Sequence, residues 1–231
     1  MCGRKSLTKS EKRIIEELLV DEWQVEDYSP SYNIAPTQNS LVMIQKKESN
    51  IIKDMKWGLI PKWSQDESSG SKMINARFET ITTKASFKNL VYQNRCVILC
   101  DGYYEWKQDG INKSPYFIQK KDRSLMLFAG LWTLWQSSSD YVFTYTILTT
   151  NPQKDIAHIH NRMPVILNKP KMEMWINLNN DYFEIKDELV YFEHELDHHQ
   201  VSNFVNSPNN NSRKCIAPFK MPVNLNLFDN N

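Results

Sequence analysis

The sequence predicts an α+β fold in a single domain, and three observations lead to this fold class. Short apolar or alternating runs, which are typical of strands, dominate the middle of the chain and are interrupted by Pro, Gly and Asn. These runs do not alternate regularly with helical patterns, as they would in a doubly wound sheet. The 231 residues, 41% of them hydrophobic, are enough for one large core, and no repeat or long linker divides the chain.

The first predicted element is a helix near the start of the chain. Thr8-Lys9-Ser10-Glu11 has capping-box spacing, and we expect the helix to end before Asp21. One face of this helix carries four apolar residues, which are Ile14, Ile15, Leu18 and Leu19.

Strand patterns occupy the middle of the chain, and two shorter helices accompany them. Helices are predicted at residues 86–93 and at residues 171–177, directly after Pro170. The strands are predicted at residues 41–45, 96–100, 115–119, 125–131 and 141–149.

Polar stretches mark the predicted loops and the end of the domain. Residues 64–72 and 206–212 are rich in Ser, Asn, Gly and Pro, which favour loops. The chain after Val223 is rich in asparagine. We therefore expect one domain over residues 1–223 and a frayed tail over residues 224–231.

The total charge excludes a protein that is steered to nucleic acid or to a membrane by its overall field. Lys and Arg number 28 and Asp and Glu number 27, so the net charge is +1. Residues 181–197, however, hold seven acids and one base, and the remainder therefore carries 27 basic and 20 acidic residues. A net charge of +7 outside one segment leaves room for a local basic surface.

The start of the chain and its cysteines narrow the class further. No apolar run approaches the roughly 20 residues of a membrane span, and Met1-Cys2-Gly3-Arg4-Lys5 leads into polar sequence without a signal peptide. Four cysteines without a C-x-x-C pair favour neither a disulfide scaffold nor structural zinc. Cys96 and Cys100 are predicted to be buried thiols on one strand face. We expect a cytoplasmic monomer that uses no metal or cofactor.

Cys2 differs from the other cysteines because it follows the first residue. Removal of Met1 would give Cys2 a free α-amine beside its thiol, and the reference pKa values of these groups are about 7.7–8.0 and 8.5. An aldehyde can form a Schiff base with such an amine, and the sulfur can then close a five-membered thiazolidine ring. The sequence therefore offers a 1,2-aminothiol for reaction with an aldehyde.

Three further segments concentrate groups that can carry chemistry. The first places an amide, a guanidinium and a carboxylate close together at Asn75, Arg77 and Glu79. The second puts Glu105 just beyond an apolar strand, where functional residues are common. The third supplies two histidines and an arginine in an irregular segment at residues 157–164. Each segment alone is also typical of a solvated surface.

Together with Cys2, these segments resemble the signature of the SOS response-associated peptidase (SRAP) family. The resemblance extends from Cys2 to about Pro208 and rests on six motifs, MCGR at 1–4, YNIAPT at 32–37, WGLIPKW at 57–63, NARFE at 75–79, GYYEW at 102–106 and IHNRMP at 159–164. Asn161 stands where the family usually has Asp, which removes a charge next to His160, and Gln200 stands at a usual Pro position. The resemblance implies a strand-rich, partly barrel-like mixed sheet with a few peripheral helices.

The resemblance also implies a function, which is to sense abasic sites in single-stranded DNA and to cap them covalently through Cys2. Peptidase-like removal of Met1 and lyase activity belong to the same expectation. In this interpretation Cys2 supplies the amine and the thiol, and Asn75 holds the amine or the sugar oxygen. Glu105 is the proton shuttle and His160 is the acid that opens the sugar ring.

The DNA contacts implied by the resemblance form a separate group of residues. Arg4, Arg77 and Arg162 are predicted to clamp phosphates next to the damaged sugar. Pro36 and Trp63 are predicted to wedge or stack on the flanking bases, whereas Trp57 is assigned to the core. The short polar donors to the backbone are predicted to be Asn33, Thr149 and Ser202.

Three other functions remain open at this level. An N-terminal-nucleophile hydrolase would use Cys2 against an amide, with Asn75 in an oxyanion hole. A non-covalent single-strand binder would not need the Cys2 thiol. A metal hydrolase would combine Glu105 with histidines, although no H-E-x-x-H spacing supports it, and its candidates would be His158, His160, His198 and His199.

Overall fold

The computed structural model describes residues 2–137, 140–190 and 195–219, and strands dominate it. The helices are α1 Glu11–Leu18, α2 Leu90–Gln93, α3 Lys169–Ile176 and α4 Tyr182–Leu189, with 3-10 helices at Glu67–Lys72, Phe78–Thr80, Asn203–Asn206 and Arg213–Cys215. The strands are β1 Lys5–Leu7, β2 Glu22–Gln24, β3 Ser31–Ile34, β4 Asn39–Lys46, β5 Ser49–Trp57, β6 Asn75–Arg77, β7 Arg95–Cys100, β8 Gly102–Asp109, β9 Asn112–Lys120, β10 Met126–Gln136, β11 Tyr141–Thr150, β12 Met163–Pro164, β13 Ile166–Leu167 and β14 Leu196–Gln200.

A closed ring of strands forms the centre of the larger sheet. Strands β11, β10, β7, β4 and β5 pair antiparallel in that order, and β5 then returns to β11 in parallel, with Lys56 opposite Thr144 and Trp57 opposite Tyr145. Closure removes the free edges that an open sheet would present. The α+β class and the partly barrel-like mixed sheet are confirmed.

The smaller sheet brings the start of the chain to the predicted site. Its strand order is β14-β9-β8-β1-β3, so β1 lies between β8 and β3. Lys5 pairs with Tyr103 of β8 on one side and with Ile34 of β3 on the other. Cys2 therefore lies just before β1, and Glu105 lies on β8, the strand that pairs with β1.

The main apolar core extends from the N-terminal segment through the barrel strands to the helices. Cys96 and Cys100 are fully buried free thiols, as predicted. Helix α3 is fixed to β7 through Trp175, whose indole N–H donates to the Cys96 carbonyl (2.9 Å). A second, smaller core lies on the outer sheet and contains Tyr104, Phe117, Val201, Val205 and Cys215.

The predicted start of α1 is wrong by two residues. Ser10, not Thr8, caps the helix, because its hydroxyl oxygen accepts the N–H of Arg13 (3.4 Å). The Thr8 hydroxyl donates instead to the carboxylate of Asp101 (2.6 Å). Leu19, which was assigned to the apolar face, ends the helix in a left-handed conformation and is 77% exposed.

Other differences from the sequence prediction come from tertiary pairing. Strand β5 was not predicted, since charged residues such as Lys53 and Asp54 interrupt its apolar pattern, yet it pairs with both β4 and β11. Glu105 lies beyond the buried strand β7, as predicted, but it belongs to the next strand, β8, rather than to a loop. The predicted helix at 86–93 is regular only in α2, and the loop at 64–72 contains a 3-10 helix.

The predictions about the C-terminal tail, the location, the oligomeric state and the domain limit are not tested by the described residues. The predicted tail at 224–231 lies outside the described residues. None of the helices in the described ranges has both the length and the apolar character needed to cross a bilayer. The cytoplasmic location, the monomeric state and the domain limit at residue 223 stay predictions.

Candidate active site

Hydrogen bonds hold the N-terminal segment firmly in place. Cys2 is fully buried, and its carbonyl oxygen accepts a hydrogen bond from the Asn75 side-chain amide (2.7 Å). The carboxylate of Asp101 accepts from the Ser6 hydroxyl (2.5 Å) and from the Thr8 backbone N–H (2.5 Å). These contacts join residues distant in sequence and fix where the Cys2 side chain lies.

Asn75 reaches Cys2 because a short parallel strand carries it there. Strand β6 pairs with β11, and Asn75 lies opposite Ile147. The side-chain nitrogen of Asn75 donates to the Cys2 carbonyl. The side-chain oxygen of Asn75 is buried and accepts no hydrogen bond from the described residues. A buried acceptor of this kind can take a hydrogen bond from a group that enters the site.

Glu105 and His160 face each other next to this segment. Their closest atoms, Glu105 Oε2 and His160 Nε2, are 3.9 Å apart. Burial raises the pKa of Glu105 to about 7, because the charged carboxylate is desolvated when only 2% of the residue is exposed. Glu105 can therefore both accept and return a proton near neutral pH.

The backbone sets the orientation of the His160 ring. The Arg162 N–H donates to His160 Nδ1 (3.0 Å), and the Arg162 carbonyl oxygen lies 3.2 Å from the same nitrogen, so Arg162 fixes the ring with Nε2 toward Glu105. Burial also lowers the pKa of His160 below its usual value. Asn161, the departure from the family pattern, is exposed.

The Cys2 thiol lies in an environment that favours its neutral form. Burial raises its pKa well above the usual range, and the negative charge of Glu105 raises it further. The positive charge of Lys5 acts in the opposite direction. Sulfur chemistry at Cys2 therefore requires a group that removes or offsets the thiol proton.

An open cleft of about 520 Å³ gives access to the Glu105–His160 pair. The Trp106 indole N–H donates to the Asn206 side-chain oxygen (2.9 Å), and this bond joins two of the residues that line the cleft. The lining residues are Glu105, Trp106, Gln108, Lys113, His160 and Asn206. Trp106 and Asn206 were not among the predicted site residues, although Trp106 stands in the GYYEW motif directly after Glu105.

Two predicted DNA contacts, Arg4 and Asn33, have partners within the protein. Arg4 Nη1 donates to the Asn33 side-chain oxygen (2.7 Å) and to the Val205 carbonyl (2.7 Å). The Asn33 amide nitrogen donates to the carbonyl of Asn210 (2.7 Å), among others. Both residues are buried. They join β1 and β3 to residues 205–210, and direct phosphate contacts from either residue stay predictions.

Arg77 and Arg162 differ in their surroundings. Arg162 forms a two-pronged ion pair with Glu79 (2.8 and 2.9 Å) and also donates to the Thr149 carbonyl (2.5 Å) and to Asn151 (3.1 Å). Arg77 is exposed at the end of β6, two residues after Asn75. Arg77 is therefore open to a phosphate, whereas the guanidinium of Arg162 already binds a carboxylate. Thr149, another predicted contact, is fully buried.

The remaining predicted contacts lie at different depths. Trp63 is 68% exposed, and Pro36 and Ser202 are half-buried. The Ser202 hydroxyl oxygen accepts the Phe204 N–H (3.3 Å) and so caps a 3-10 helix. Trp57 is fully buried, which confirms its assignment to the core.

The histidines considered for a metal site do not converge. His158 lies against the ring of His198 (5.0 Å between centroids), and His199 Nε2 contacts the Ile216 carbonyl (2.8 Å), whereas His160 faces Glu105. In the part of the chain that the structure describes, no group of three or more His, Cys, Asp or Glu side chains could hold a metal ion.

The raised pKa of Glu105 predicts a pH-dependent loss of stability. An unfolded glutamate releases its proton near pH 4.5, but the folded protein holds it to about pH 7, so stability falls as pH rises through this range. We expect Glu105→Gln to increase the free energy of unfolding at pH 8, by on the order of 3 kcal/mol at most. Denaturant unfolding at pH 5 and pH 8 measures this. The exposed Glu26→Gln is the control, and a gain that is equal at both pH values would contradict the prediction.

The chain is similar to known proteins along most of its length. A family model described as SOS response associated peptidase (SRAP) matches residues 1–208. The abasic site processing protein YoaM of Bacillus subtilis is 41% identical over 221 residues, covering 94% of this chain and 97% of the relative. The abasic site processing protein HMCES of Gallus gallus is 31% identical, covering 87% and 70%. A crystal structure of a Bacteroides thetaiotaomicron protein has a TM-score of 0.84 at 25% identity, covering 95% of this chain and 100% of that one.

Proposed function

Because the chain belongs to the SOS response associated peptidase family, we propose that it processes abasic sites in damaged DNA by capping them covalently. The cap is a thiazolidine formed by the amine and the thiol of Cys2 with the sugar aldehyde. One observation carries the proposal, which is that Asn75 holds Cys2, whose thiol is influenced by the charge of Glu105, and that Glu105 faces His160 at an open cleft. The similar proteins that are named for abasic site processing support the same substrate.

Capture begins at the Cys2 α-amine, which becomes available once Met1 is removed. The amine nitrogen bonds to the aldehyde carbon, and the resulting carbinolamine loses water to give an iminium. Protonated Glu105 supplies the proton that leaves with this water, and its pKa of about 7 makes that form available near neutral pH. Asn75 donates to the Cys2 carbonyl, which restrains the position of the amine.

Ring closure then uses the sulfur. The S–H bond of Cys2 breaks, its proton passes to the Glu105 carboxylate, and the sulfur bonds to the iminium carbon. The electron pair of the C=N bond moves to the nitrogen, so that the product is a neutral thiazolidine. The same glutamate thus donates a proton in the first step and accepts one in the second, which the carboxyl group can do only near its own pKa.

His160 is proposed to open the sugar ring before capture. An abasic sugar is mostly a closed hemiacetal, which must release its aldehyde before an amine can react. Nε2 of the His160 ring faces Glu105 beside the cleft. In its protonated form His160 donates the Nε2 proton to the ring oxygen, the bond from C1 to that oxygen breaks, and Glu105 accepts the hydroxyl proton, so that His160 is left neutral.

Single-stranded DNA is the proposed form of the substrate, because the abasic sugar must enter the cleft to reach a buried cysteine. The exposed Arg77 is proposed to bind a phosphate next to this sugar, and the exposed Trp63 and half-buried Pro36 are proposed to contact flanking bases. Peptidase-like removal of Met1 by the protein itself and lyase activity stay predictions.

A direct test is to mix the purified protein with a single-stranded oligonucleotide that carries one abasic site. We expect a protein–DNA band that survives denaturing electrophoresis. The matched control is an oligonucleotide with a tetrahydrofuran residue at the same position, which has the same shape but cannot form an aldehyde. If the abasic oligonucleotide gives no such band, the proposed function is wrong.

The two arginines near the site are expected to respond differently to replacement. Arg77→Ala should reduce the logarithmic salt dependence of single-strand binding by about 0.7, without a change in stability, because one phosphate contact is lost. Arg162→Ala should lower the free energy of unfolding by about 1–3 kcal/mol, because Glu79 and the Thr149 carbonyl lose a charged donor. Fluorescence anisotropy at several salt concentrations and denaturant unfolding measure the two effects.

The control for both variants is Arg13→Ala, which removes an exposed arginine from α1. It should change neither the salt dependence nor the stability by a comparable amount. An unaltered salt dependence in Arg77→Ala would place the phosphate contact elsewhere on the surface.

A further inference from the structure

Glu79 is a carboxylate four residues after Asn75, and the proposed reaction gives it no role. Both of its oxygens accept hydrogen bonds from the guanidinium of Arg162, Oε1 from Nη1 (2.9 Å) and Oε2 from Nη2 (2.8 Å). A two-pronged pair of this kind fixes the plane of the guanidinium as well as its distance. The Arg162 side chain is 13% exposed, so solvent screens this ion pair less than one on the open surface.

The ion pair joins two segments that carry proposed site residues. Glu79 lies in the 3-10 helix that directly follows β6, the strand of Asn75. Arg162 lies two residues after His160, in an irregular stretch before the two-residue strand β12. The guanidinium also donates to the Thr149 carbonyl of β11 (2.5 Å), and β11 pairs with β6. The pair therefore ties the irregular stretch to the strand that carries Asn75.

Arg162 in turn holds the imidazole ring of His160. The backbone N–H of Arg162 donates to His160 Nδ1 (3.0 Å), and its carbonyl oxygen lies 3.2 Å from the same nitrogen. The other ring nitrogen, Nε2, lies 3.9 Å from Glu105 Oε2. His160 itself belongs to neither a helix nor a strand, so its contacts with Arg162 orient the ring. A continuous series of contacts thus leads from Glu79 through Arg162 to the ring that faces Glu105.

We propose that Glu79 is a positioning residue, which through Arg162 holds the His160 ring in the orientation needed to open the abasic sugar. This inference rests on the proposed function. Glu79 exchanges no proton and touches no reacting atom. It fixes the residue whose backbone binds Nδ1, so that Nε2 is presented to the sugar and to Glu105. An acid is fully effective only when its proton is aligned with the atom that receives it.

The charges of the pair suit this role. Burial alone would raise the pKa of Glu79, but its hydrogen bonds with Arg162 bring the pKa below its usual value, so Glu79 is ionised at neutral pH. Burial lowers the pKa of His160, and the positive charge of Arg162 lowers it further. The carboxylate of Glu79 carries the opposite charge and offsets that of Arg162. It thereby favours the protonated His160 that donates to the sugar.

The first test separates the rate of capture from DNA binding. Formation of the denaturation-resistant adduct is followed under single-turnover conditions, at increasing protein concentration, for the parent, Glu79→Gln and Glu79→Asp. We expect Glu79→Gln to lower the maximal rate by about tenfold or more, since an ångström of misplacement can cost up to about 100-fold. The half-saturating concentration should not rise, because loss of a carboxylate does not weaken attraction to phosphates. Glu79→Asp keeps the charge and should have an intermediate rate.

The second test needs no DNA. Diethyl pyrocarbonate modifies imidazole nitrogens, and peptide mass spectrometry reports the rate at each histidine. We expect His160 to react several-fold faster in Glu79→Gln than in the parent, because its ring is no longer held against Glu105. His198 and His199 on β14 should react at their parent rates, since a local change at Arg162 leaves that strand in place.

The matched control is Glu67→Gln, which removes a similarly exposed carboxylate from its ion pair with Lys56 (2.5 Å). It should change neither the maximal rate nor the reactivity of His160. Thermal unfolding shows which variants are folded. If Glu79→Gln is not folded, Glu79→Asp carries the same comparison, because its shorter side chain cannot reach both guanidinium nitrogens without a shift of Arg162.

A folded Glu79→Gln protein with the parent maximal rate overturns the inference, even if it binds DNA more tightly, which would instead make Glu79 a shield between Arg162 and phosphate. His160 reactivity that stays at the parent value, or that rises only together with that of His198 and His199, also overturns it. If the parent forms no adduct, the proposed function fails, whereas the reactivity of His160 still decides whether Glu79 holds the ring.

Discussion

Cys2→Ala is expected to abolish the denaturation-resistant adduct with abasic single-stranded DNA. The variant keeps an amine at the second position, and that amine can still form a Schiff base with the aldehyde. Without sulfur, however, the iminium cannot close to a thiazolidine and returns to the aldehyde when water adds. Denaturing electrophoresis after a fixed incubation measures the loss, and anisotropy should find non-covalent binding essentially unchanged, since Cys2 is buried.

The matched control is Cys215→Ala. Cys215 is also a fully buried thiol, but it lies in the smaller core and its thiol donates to the Asn210 carbonyl (3.3 Å). This variant should keep the adduct. A Cys2→Ala protein that retains the parent yield would show that another nucleophile captures the sugar, and one that loses non-covalent binding as well would point to a damaged fold.

Blocking the α-amine of Cys2 is expected to have an equally large effect. A protein carrying an N-terminal extension before Cys2 has the thiol but no free amine, so neither the Schiff base nor the thiazolidine can form. Such a protein should give no adduct with the abasic oligonucleotide. Cleavage of the extension by a protease that leaves Cys2 as the first residue should restore the adduct in the same preparation.

Intact-mass spectrometry provides the readout for this second prediction. The mass of the protein before incubation shows whether Met1 or the extension is present, and the mass of the product shows whether water was lost on joining the sugar. An adduct formed at the parent yield by the extended protein would contradict ring closure through the amine. It would instead favour attack by the thiol alone, as in the N-terminal-nucleophile alternative.

Much of the fold could be predicted because its signals are local. The strand patterns at 96–100 and 141–149 are confirmed as β7 and β11, and the helix before Asp21 is confirmed as α1 with a different cap. Strand β5 escaped prediction, since its pattern contains charged residues that only the pairing with β4 and β11 accommodates. Barrel closure was expected from the family resemblance alone.

The candidate site was predicted as a set of residue types, but not as an arrangement. The motifs singled out Asn75, Glu105 and His160; in the structure Asn75 donates to the Cys2 carbonyl, and Glu105 lies 3.9 Å from His160. The same motifs could not distinguish an exposed arginine such as Arg77 from Arg162, whose charge is bound by Glu79. Their roles in DNA binding stay predictions.

What the sequence determined by itself is the chemistry available to this protein: an aminothiol at Cys2, a neutral amide, a carboxylate, a histidine and an α+β framework to carry them. Only the tertiary structure decided how these groups ionise. Burial within β8 gives Glu105 a pKa of about 7, and burial within the core lowers the pKa of Lys5 to about 8. Desolvation depends on neighbours from distant parts of the chain, so no local pattern in the sequence specifies it.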